Sequence, residues 1–132
     1  MADWIYVLDQ RRDTLEGEPA DRETIRRLAE EEPELELWLG RRNRMNPGDR
    51  LWFLFTHPHP AVAAVAEVDQ EPWEEPDDPD VTYLVAATLL PEATKALSRD
   101  PVSREELGAG QMRSVRKVKP EELRVLVERA GL

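Results

Sequence analysis

The chain has 132 residues, a net charge of −10 and no cysteine. This length suits one domain with a modest core, and the lack of cysteine excludes disulfides, thiolate metal sites and cysteine nucleophiles. The acidic charge speaks against bulk, sequence-independent binding to a phosphate backbone. No apolar run approaches the length of a membrane span and no export signal is visible. We therefore expect one domain over residues 1–132, a cytoplasmic location and no membrane partner.

The first elements predicted are a strand and a helix. Large side chains alternate over residues 4–9, as they do in a buried strand. A helix over residues 21–31 follows, because Asp21 can cap its start, apolar residues repeat at helical spacing, and Pro33 ends it.

Residues 34–39 are predicted to form a second strand. Leu35, Leu37 and Leu39 fall on one face, whereas Trp38 falls on the other face with two glutamates. This period of two favours a strand over a helix. A large aromatic side chain on a polar face either packs under a neighbouring loop or lines a pocket, and both interpretations stay open.

A hairpin is predicted next. Asn46-Pro47-Gly48-Asp49 is a turn signal, since proline presets φ and glycine allows a positive φ. Residues 50–56 have large side chains on both faces and predict a central strand, and the alanine-rich residues 61–68 are its expected partner. Between the two strands lies His57-Pro58-His59-Pro60, which is a metal site, a catalytic base or only a turn.

The histidines His57 and His59 lack the partners that metal binding or catalysis requires. Two imidazoles hold a metal only with further ligands, and no HExxH spacing accompanies them. A catalytic histidine needs a nucleophile or an orienting carboxylate, and no motif supplies one. We therefore expect a proline-stiffened turn with no metal, no cofactor and no enzyme activity; a hydrolase that uses either histidine is the least favoured alternative.

The rest of the chain adds one long strand and several short elements after an acidic, proline-rich loop over residues 69–80. The order of elements indicates a small α+β domain built around a curled sheet or barrel. The predicted elements are a strand over 81–90, a short helix over 91–97, a helical turn opened by a capping box at Ser103-Arg104-Glu105-Glu106, an extended segment over 111–118 and a helix over 120–130.

Charge is distributed unevenly along the chain. Residues 67–80 hold eight acids and no base, residues 41–50 hold four arginines against one aspartate, and residues 113–119 hold four bases and no acid. Ordinary solvated surface is one explanation. The alternative is that the two basic segments meet around one site while the acidic loop lies elsewhere.

Several short segments, taken in order, carry a family resemblance. They span nearly the whole chain and are Trp4, Asn43-Arg44-Met45, Gly48-Asp49-Arg50, Trp52-Phe53, residues 63–68, residues 101–107 and residues 114–122. Their order and spacing resemble the EVE domain, a family of the PUA-like superfamily, which also includes the YTH and ASCH domains. The resemblance implies a small PUA-like curled β-barrel with peripheral helices and no catalysis.

The resemblance also implies that an aromatic pocket with a basic rim holds a nucleobase, often a modified one, flipped out of DNA or RNA. A domain that binds a free nucleoside or a protein partner is the alternative. Stacking of a base contributes roughly 1–3 kcal/mol. The candidate ligand-binding residues are Trp4, Trp38, Phe55, Thr56, His57 and Ser114. The candidates for contact with the nucleic-acid backbone are Arg41, Arg42, Arg44, Arg113, Arg116 and Lys117.

Overall fold

The structure is a computed structural model that describes residues 1–40, 44–74, 83–110 and 115–132. The helices in these ranges are α1 (Arg22–Glu31), α2 (Pro91–Arg99) and α3 (Pro120–Ala130). The strands are β1 (Asp3–Leu8), β2 (Thr14–Leu15), β3 (Glu18–Pro19), β4 (Glu36–Gly40), β5 (Arg50–Phe55), β6 (Ala61–Val68), β7 (Trp73–Glu74), β8 (Tyr83–Leu89), β9 (Val102–Ser103) and β10 (Arg116–Lys117).

One large sheet organises the fold, with the strand order β10-β1-β5-β6-β8-β4. β7 pairs with β8, β9 pairs with β6, and β2 and β3 form a separate hairpin. β1 and β5 run parallel, whereas the other described pairs are antiparallel. The predicted α+β class is confirmed. Strand pairing in the described ranges does not close the sheet, so the predicted barrel is not confirmed.

Both faces of the sheet are buried at its centre. In β1, Tyr6 and Leu8 point into one apolar cluster, which α1 helps to cover, whereas Ile5 and Val7 point into a second cluster beneath α2 and α3. β5 divides in the same way, with Phe53 in the first cluster and its neighbours in the second. A strand buried on both faces has no polar face. This explains why both strands consist largely of apolar residues.

Most predicted elements are present where the sequence placed them. The strand predicted over 34–39 is β4, and the hairpin predicted from residues 50–56 and 61–68 is the antiparallel pair of β5 and β6. The segment 57–60 connects that pair, as predicted, and it contains a cis peptide bond between His57 and Pro58. Of the segment predicted as extended over 111–118, residues 116 and 117 form β10, and residues 111–114 lie outside the described residues.

The helical turn predicted from Ser103 forms as a single turn, in which the Leu107 amide donates to the Ser103 carbonyl at 3.2 Å, and it does not continue into a helix. The capping box itself forms, because the Ser103 amide donates to the Glu106 carboxylate at 3.0 Å and the Glu106 amide donates to the Ser103 hydroxyl at 3.1 Å. Ser103 belongs to β9, however, and pairs with Ala61 of β6. The segment between Ser103 and Gly108 is therefore limited to turns, because it starts in a strand and ends at a glycine with a positive φ.

The turn before β5 is held by a buried carboxylate. Asp49 is 2% exposed and accepts hydrogen bonds from the amide of Ala2 at 2.8 Å, the amide of Asn46 at 2.9 Å and the indole of Trp4 at 3.1 Å. Gly48, with φ at +91°, donates its amide to Val68. Asp49 thereby joins the start of β1 to the start of β5, across 45 residues of sequence between Trp4 and Asp49.

Electrostatics at Asp49 favour the ionised form. Burial alone would raise its pKa, but the hydrogen bonds from Asn46, Ala2 and Trp4 outweigh burial and lower it. A lowered pKa in the folded state means that the carboxylate contributes stability above its unfolded pKa, and that this contribution is lost as the pH falls through the folded pKa.

No helix in the described ranges is long and apolar enough to cross a membrane.

We predict that Asp49→Asn lowers the free energy of unfolding by about 1–3 kcal/mol, because one buried donor would then face an amide that also donates. Urea unfolding at neutral pH measures the loss. The exposed carboxylate of Glu128 is the control, and Glu128→Gln should change stability by less than about 0.5 kcal/mol. The difference in free energy of unfolding between wild type and Asp49→Asn should decrease at pH values below 3.8, the ordinary carboxyl pKa. A difference that is constant down to pH 2 contradicts the role of the charge.

Candidate ligand-binding site

Two of the predicted pocket aromatics, Trp4 and Phe55, lie in the core. Their side chains are 7% and 1% exposed, and both belong to the apolar cluster on the α1 side of the sheet. The indole of Trp4 donates to Asp49, and the ammonium of Lys117 lies 5.5 Å from the centre of the Trp4 ring. Lys117, a predicted backbone contact, therefore already covers this aromatic ring, and neither Trp4 nor Phe55 presents a face for stacking.

Trp38 points away from both of them. Leu37 and Leu39 face the core at 1% and 4% exposure, whereas Trp38 is 60% exposed, as the alternation in the sequence predicted. Its ring packs edge to face against Trp73, with the ring centres 5.4 Å apart. The structure thus does not bring Trp38 together with Trp4 and Phe55 in one pocket.

The predicted basic rim is divided among different environments. Arg116 forms two hydrogen bonds, of 2.8 and 2.7 Å, with the carboxylate of Glu122, which is 2% exposed. The hydrogen bonds between the two side chains are the main reason that the pKa of Glu122 is lowered and the pKa of Arg116 is raised. Burial opposes both shifts. Arg44 is exposed. The remaining predicted residues Arg41, Arg42, Arg113 and Ser114 lie outside the described residues.

His57 lines a cavity of about 400 Å³ where four parts of the chain meet. These parts are the residues after β1, the first turns of α1, the connection between β5 and β6, and the end of α2. The lining residues are Gln10, Asp21, Arg22, Glu23, Arg26, His57, Pro58 and Ser98. Cavities of roughly 300–1,000 Å³ hold small organic ligands, so this one suits a ligand the size of a nucleoside.

The lining of the His57 cavity is polar and of mixed charge. Asp21 caps α1 by accepting the Thr24 amide at 2.8 Å, as the sequence predicted. The guanidinium of Arg26 pairs with Glu23 and, at 3.2 Å, with Glu30. The hydrogen bond from Arg26 lowers the pKa of Glu23, so that carboxyl is ionised at neutral pH. Two acids and two arginines line the cavity, so it offers both hydrogen-bond donors and acceptors.

The two histidines of the connection have different surroundings. His57 faces the cavity, whereas Nε2 of His59 lies 3.1 Å from the carboxylate of Glu105. Beside His57, the buried hydroxyl of Thr56 has no hydrogen-bond partner, although its backbone amide donates to Leu8 at 3.1 Å. In the described part of the chain, no group of three or more His, Asp or Glu side chains is placed to hold a metal ion.

Sequence reasoning missed most of the lining of this cavity. Gln10, Arg22, Arg26 and Ser98 belong to no motif, and they come from segments that are far apart in sequence. Only two signals pointed here: Asp21 as the start of a helix, and His57 as the residue that follows the central strand. Neither signal predicts that these segments enclose one cavity.

Comparison with known proteins identifies the fold. No family profile and no curated protein matches the chain. A crystal structure of a protein from Agrobacterium tumefaciens is similar over all of this chain and 94% of its own, with 20% identity and a TM-score of 0.61. A hypothetical protein from Leishmania major is similar over 99% of this chain and 95% of its own, with 15% identity and a TM-score of 0.59.

A third similar structure is a point variant of the ASCH protein ZmASCH from Zymomonas mobilis. It covers 97% of this chain and 98% of its own, with 13% identity and a TM-score of 0.56. At such identities the comparison shows a shared fold. The EVE family expected from the sequence is not established by this comparison.

We predict that Arg116→Ala lowers the free energy of unfolding by about 1–3 kcal/mol, because it leaves the buried Glu122 without its cation. The matched control is Arg44→Ala, an exposed position, which should change stability by less than about 0.5 kcal/mol. Thermal or urea unfolding of both variants measures the difference. Equal stability of the two variants would mean that the charge of Arg116 is available for a ligand instead.

Proposed function

We propose that this protein is a non-catalytic binding domain of the EVE type that holds a single nucleobase in the His57 cavity. The base, modified or unmodified, would be presented by a nucleotide flipped out of RNA or DNA, or by a free nucleoside. The observation that carries the proposal is the cavity of about 400 Å³ with an imidazole in its wall. The fold shared with an ASCH protein supports it.

The side chains around the cavity suit the two recognition needs of a base. A base stacks on flat side chains such as histidine and arginine, and its edge is read by hydrogen bonds. His57 lines the cavity and supplies a flat imidazole ring. Gln10 offers both a donor and an acceptor, and Arg22 offers donors only. Recognition would therefore depend on stacking and edge contacts, as it does in sites that bind flipped bases.

Charge favours a base over a long phosphate backbone as the main contact. The chain carries a net charge of −10. Several of its arginines are already paired with acids inside the fold: Arg50 with Asp3 at 2.7 Å, and Arg116 with Glu122. Affinity for a backbone grows with the number of phosphates neutralised. We therefore expect the base or nucleoside to contribute most of the affinity and the flanking phosphates to contribute little.

The test is a binding screen with the intact protein. Unmodified and modified nucleosides form one arm, and short single-stranded RNA and DNA carrying the same bases form the other. Calorimetry measures affinity, and two salt concentrations separate the phosphate contribution from that of the base. A similar affinity for a nucleoside and its oligonucleotide identifies the free nucleoside as the ligand. An oligonucleotide that binds much more tightly identifies a flipped base.

We predict that His57→Ala weakens binding of the best ligand about tenfold, since removal of a stacking side chain costs roughly 1–3 kcal/mol and an imidazole is small. His59→Ala is the matched control, because it removes the neighbouring histidine of the same turn, which faces Glu105 instead. Its affinity should equal that of wild type. Equal losses in the two variants, or the absence of binding across both arms at millimolar ligand, would refute a base site in this cavity.

A further inference from the structure

A second surface lies on the outer face of β4, β6, β7 and β8, and it shares no residue with the lining of the His57 cavity. We call it the tryptophan face, and its residues are Glu36, Trp38, Glu67, Asp69, Trp73 and Thr88. Trp38 is 60% exposed, the largest exposure of any tryptophan in the chain. Ala86 lies opposite Trp38 in the β4–β8 register and is fully buried. α2 and α3 cover the outer face only at the centre of the sheet.

Acidic side chains flank the two indoles. Register places Glu36 and Glu67 on either side of Thr88, in neighbouring strands. Glu36 accepts a hydrogen bond from the indole of Trp38 at 2.9 Å, and Asp69 accepts one from the hydroxyl of Thr88 at 2.7 Å. No arginine or lysine in the described part of the chain forms an ion pair with these three acids.

Glu36 and Glu67 lie close enough to Asp69 to oppose its ionisation. The pKa of Asp69 is raised mainly by partial burial and also by the neighbouring Glu36 and Glu67. The hydrogen bond from Thr88 acts in the opposite direction. A cation placed beside a carboxyl group whose pKa is raised in this way stabilises the charged form of that group. The tryptophan face therefore combines mutual repulsion between acids with an exposed aromatic ring.

The rings of the other two tryptophans, Trp4 and Trp52, each lie next to a cationic side chain of the same chain. The guanidinium carbon of Arg50 lies 5.4 Å from the ring centre of Trp52, and Lys117 lies at a similar distance from Trp4. Both cations belong to the chain itself. In the described ranges, Trp38 and Trp73 instead contact each other edge to face. The outer side of Trp38 thus offers a cation–π position that no described residue fills.

We propose that the tryptophan face binds an arginine-rich segment of a partner protein. Charge complementarity carries the assignment, because the exposed indole of Trp38 contacts Glu36, and Asp69 and Glu67 lie close to Glu36 on the same face, in a chain of net charge −10. Arginine fits better than lysine: its planar guanidinium stacks on an indole and can also pair with a carboxylate such as Glu36. Because Glu36 and Glu67 lie on the two strands that flank β8, on the order of 10 Å apart, a segment with several cations matches the acids better than a single cation.

This surface is independent of the proposed nucleobase site. It shares no residue with the lining of the His57 cavity, and its charge repels phosphates rather than attracting them. The two sites can therefore be tested and rejected separately. A protein partner held by the tryptophan face would leave the cavity accessible.

The experiment is a titration of the intact, ¹⁵N-labelled protein with a hexa-arginine peptide, observed at the indole N–H signals. The four tryptophans give four such signals. We expect the signals of Trp38 and Trp73 to shift and those of Trp4 and Trp52, whose indoles donate to Asp49 and Asp3, to stay in place. Hexa-lysine should bind more weakly, and an oligonucleotide should shift neither of the first two signals.

Variants separate the aromatic from the purely electrostatic contribution. Trp38→Ala should weaken hexa-arginine binding about two- to fivefold, as expected for an exposed cation–π contact, and Trp38→Phe should recover part of the loss. Glu36→Gln should weaken binding, whereas Glu128→Gln, an exposed acid on α3, should not. The proposal is overturned by unshifted Trp38 and Trp73 signals at saturating peptide. It is also overturned by equal losses in the two glutamine variants, by a Trp38→Ala variant of unchanged affinity, or by an oligonucleotide that shifts the two signals in place of the peptide.

Discussion

The buried carboxylate of Asp49 is the interaction on which the rest of the architecture depends. It binds the amides of Ala2 and Asn46 and the indole of Trp4, and thereby fixes where β5 starts relative to β1. That parallel pair forms the centre of the sheet, and both apolar clusters are built on its two faces. A buried acid is tolerable only because every nearby donor points at it. Because β1 and β5 are parallel, their ends lie side by side, and the chain continues from these ends to Gln10 and His57 in the cavity wall.

The sheet separates two kinds of surface. At its centre, helices cover the outer face and leave only the ends of strands for a ligand, which is where the His57 cavity lies. At the β4 and β8 side the outer face is open, and there the chain places an indole pair among carboxylates. One surface is concave and of balanced charge, and the other is open and acidic. These properties suit different ligands, a base and a cationic segment, and this is why one protein can be proposed to recognise both.

The sequence allowed prediction of the elements better than of the site. Alternation in residues 34–39 predicted both β4 and the outward direction of Trp38, because a period of two fixes faces without knowledge of the neighbours. Trp4 could not be placed in this way. In a strand buried on both faces, alternation does not tell a pocket from a core, and the partner that holds Trp4, Asp49, lies far away in sequence. The same limit applies to the pairing of Arg116 with Glu122, and to a cavity assembled from four separate segments.

The position of β1 in the sheet has a consequence for how the chain reaches its native state. β1 lies between β5 and β10, so its pairing is complete only once residues 116 and 117 join it. Its pairing partners are remote in sequence, which raises contact order and slows folding. Until β10 pairs with it, β1 exposes an unpaired, apolar edge of the kind that recruits other chains. The short β10 pairing at Arg116 and Lys117 therefore also shields β1 from other chains.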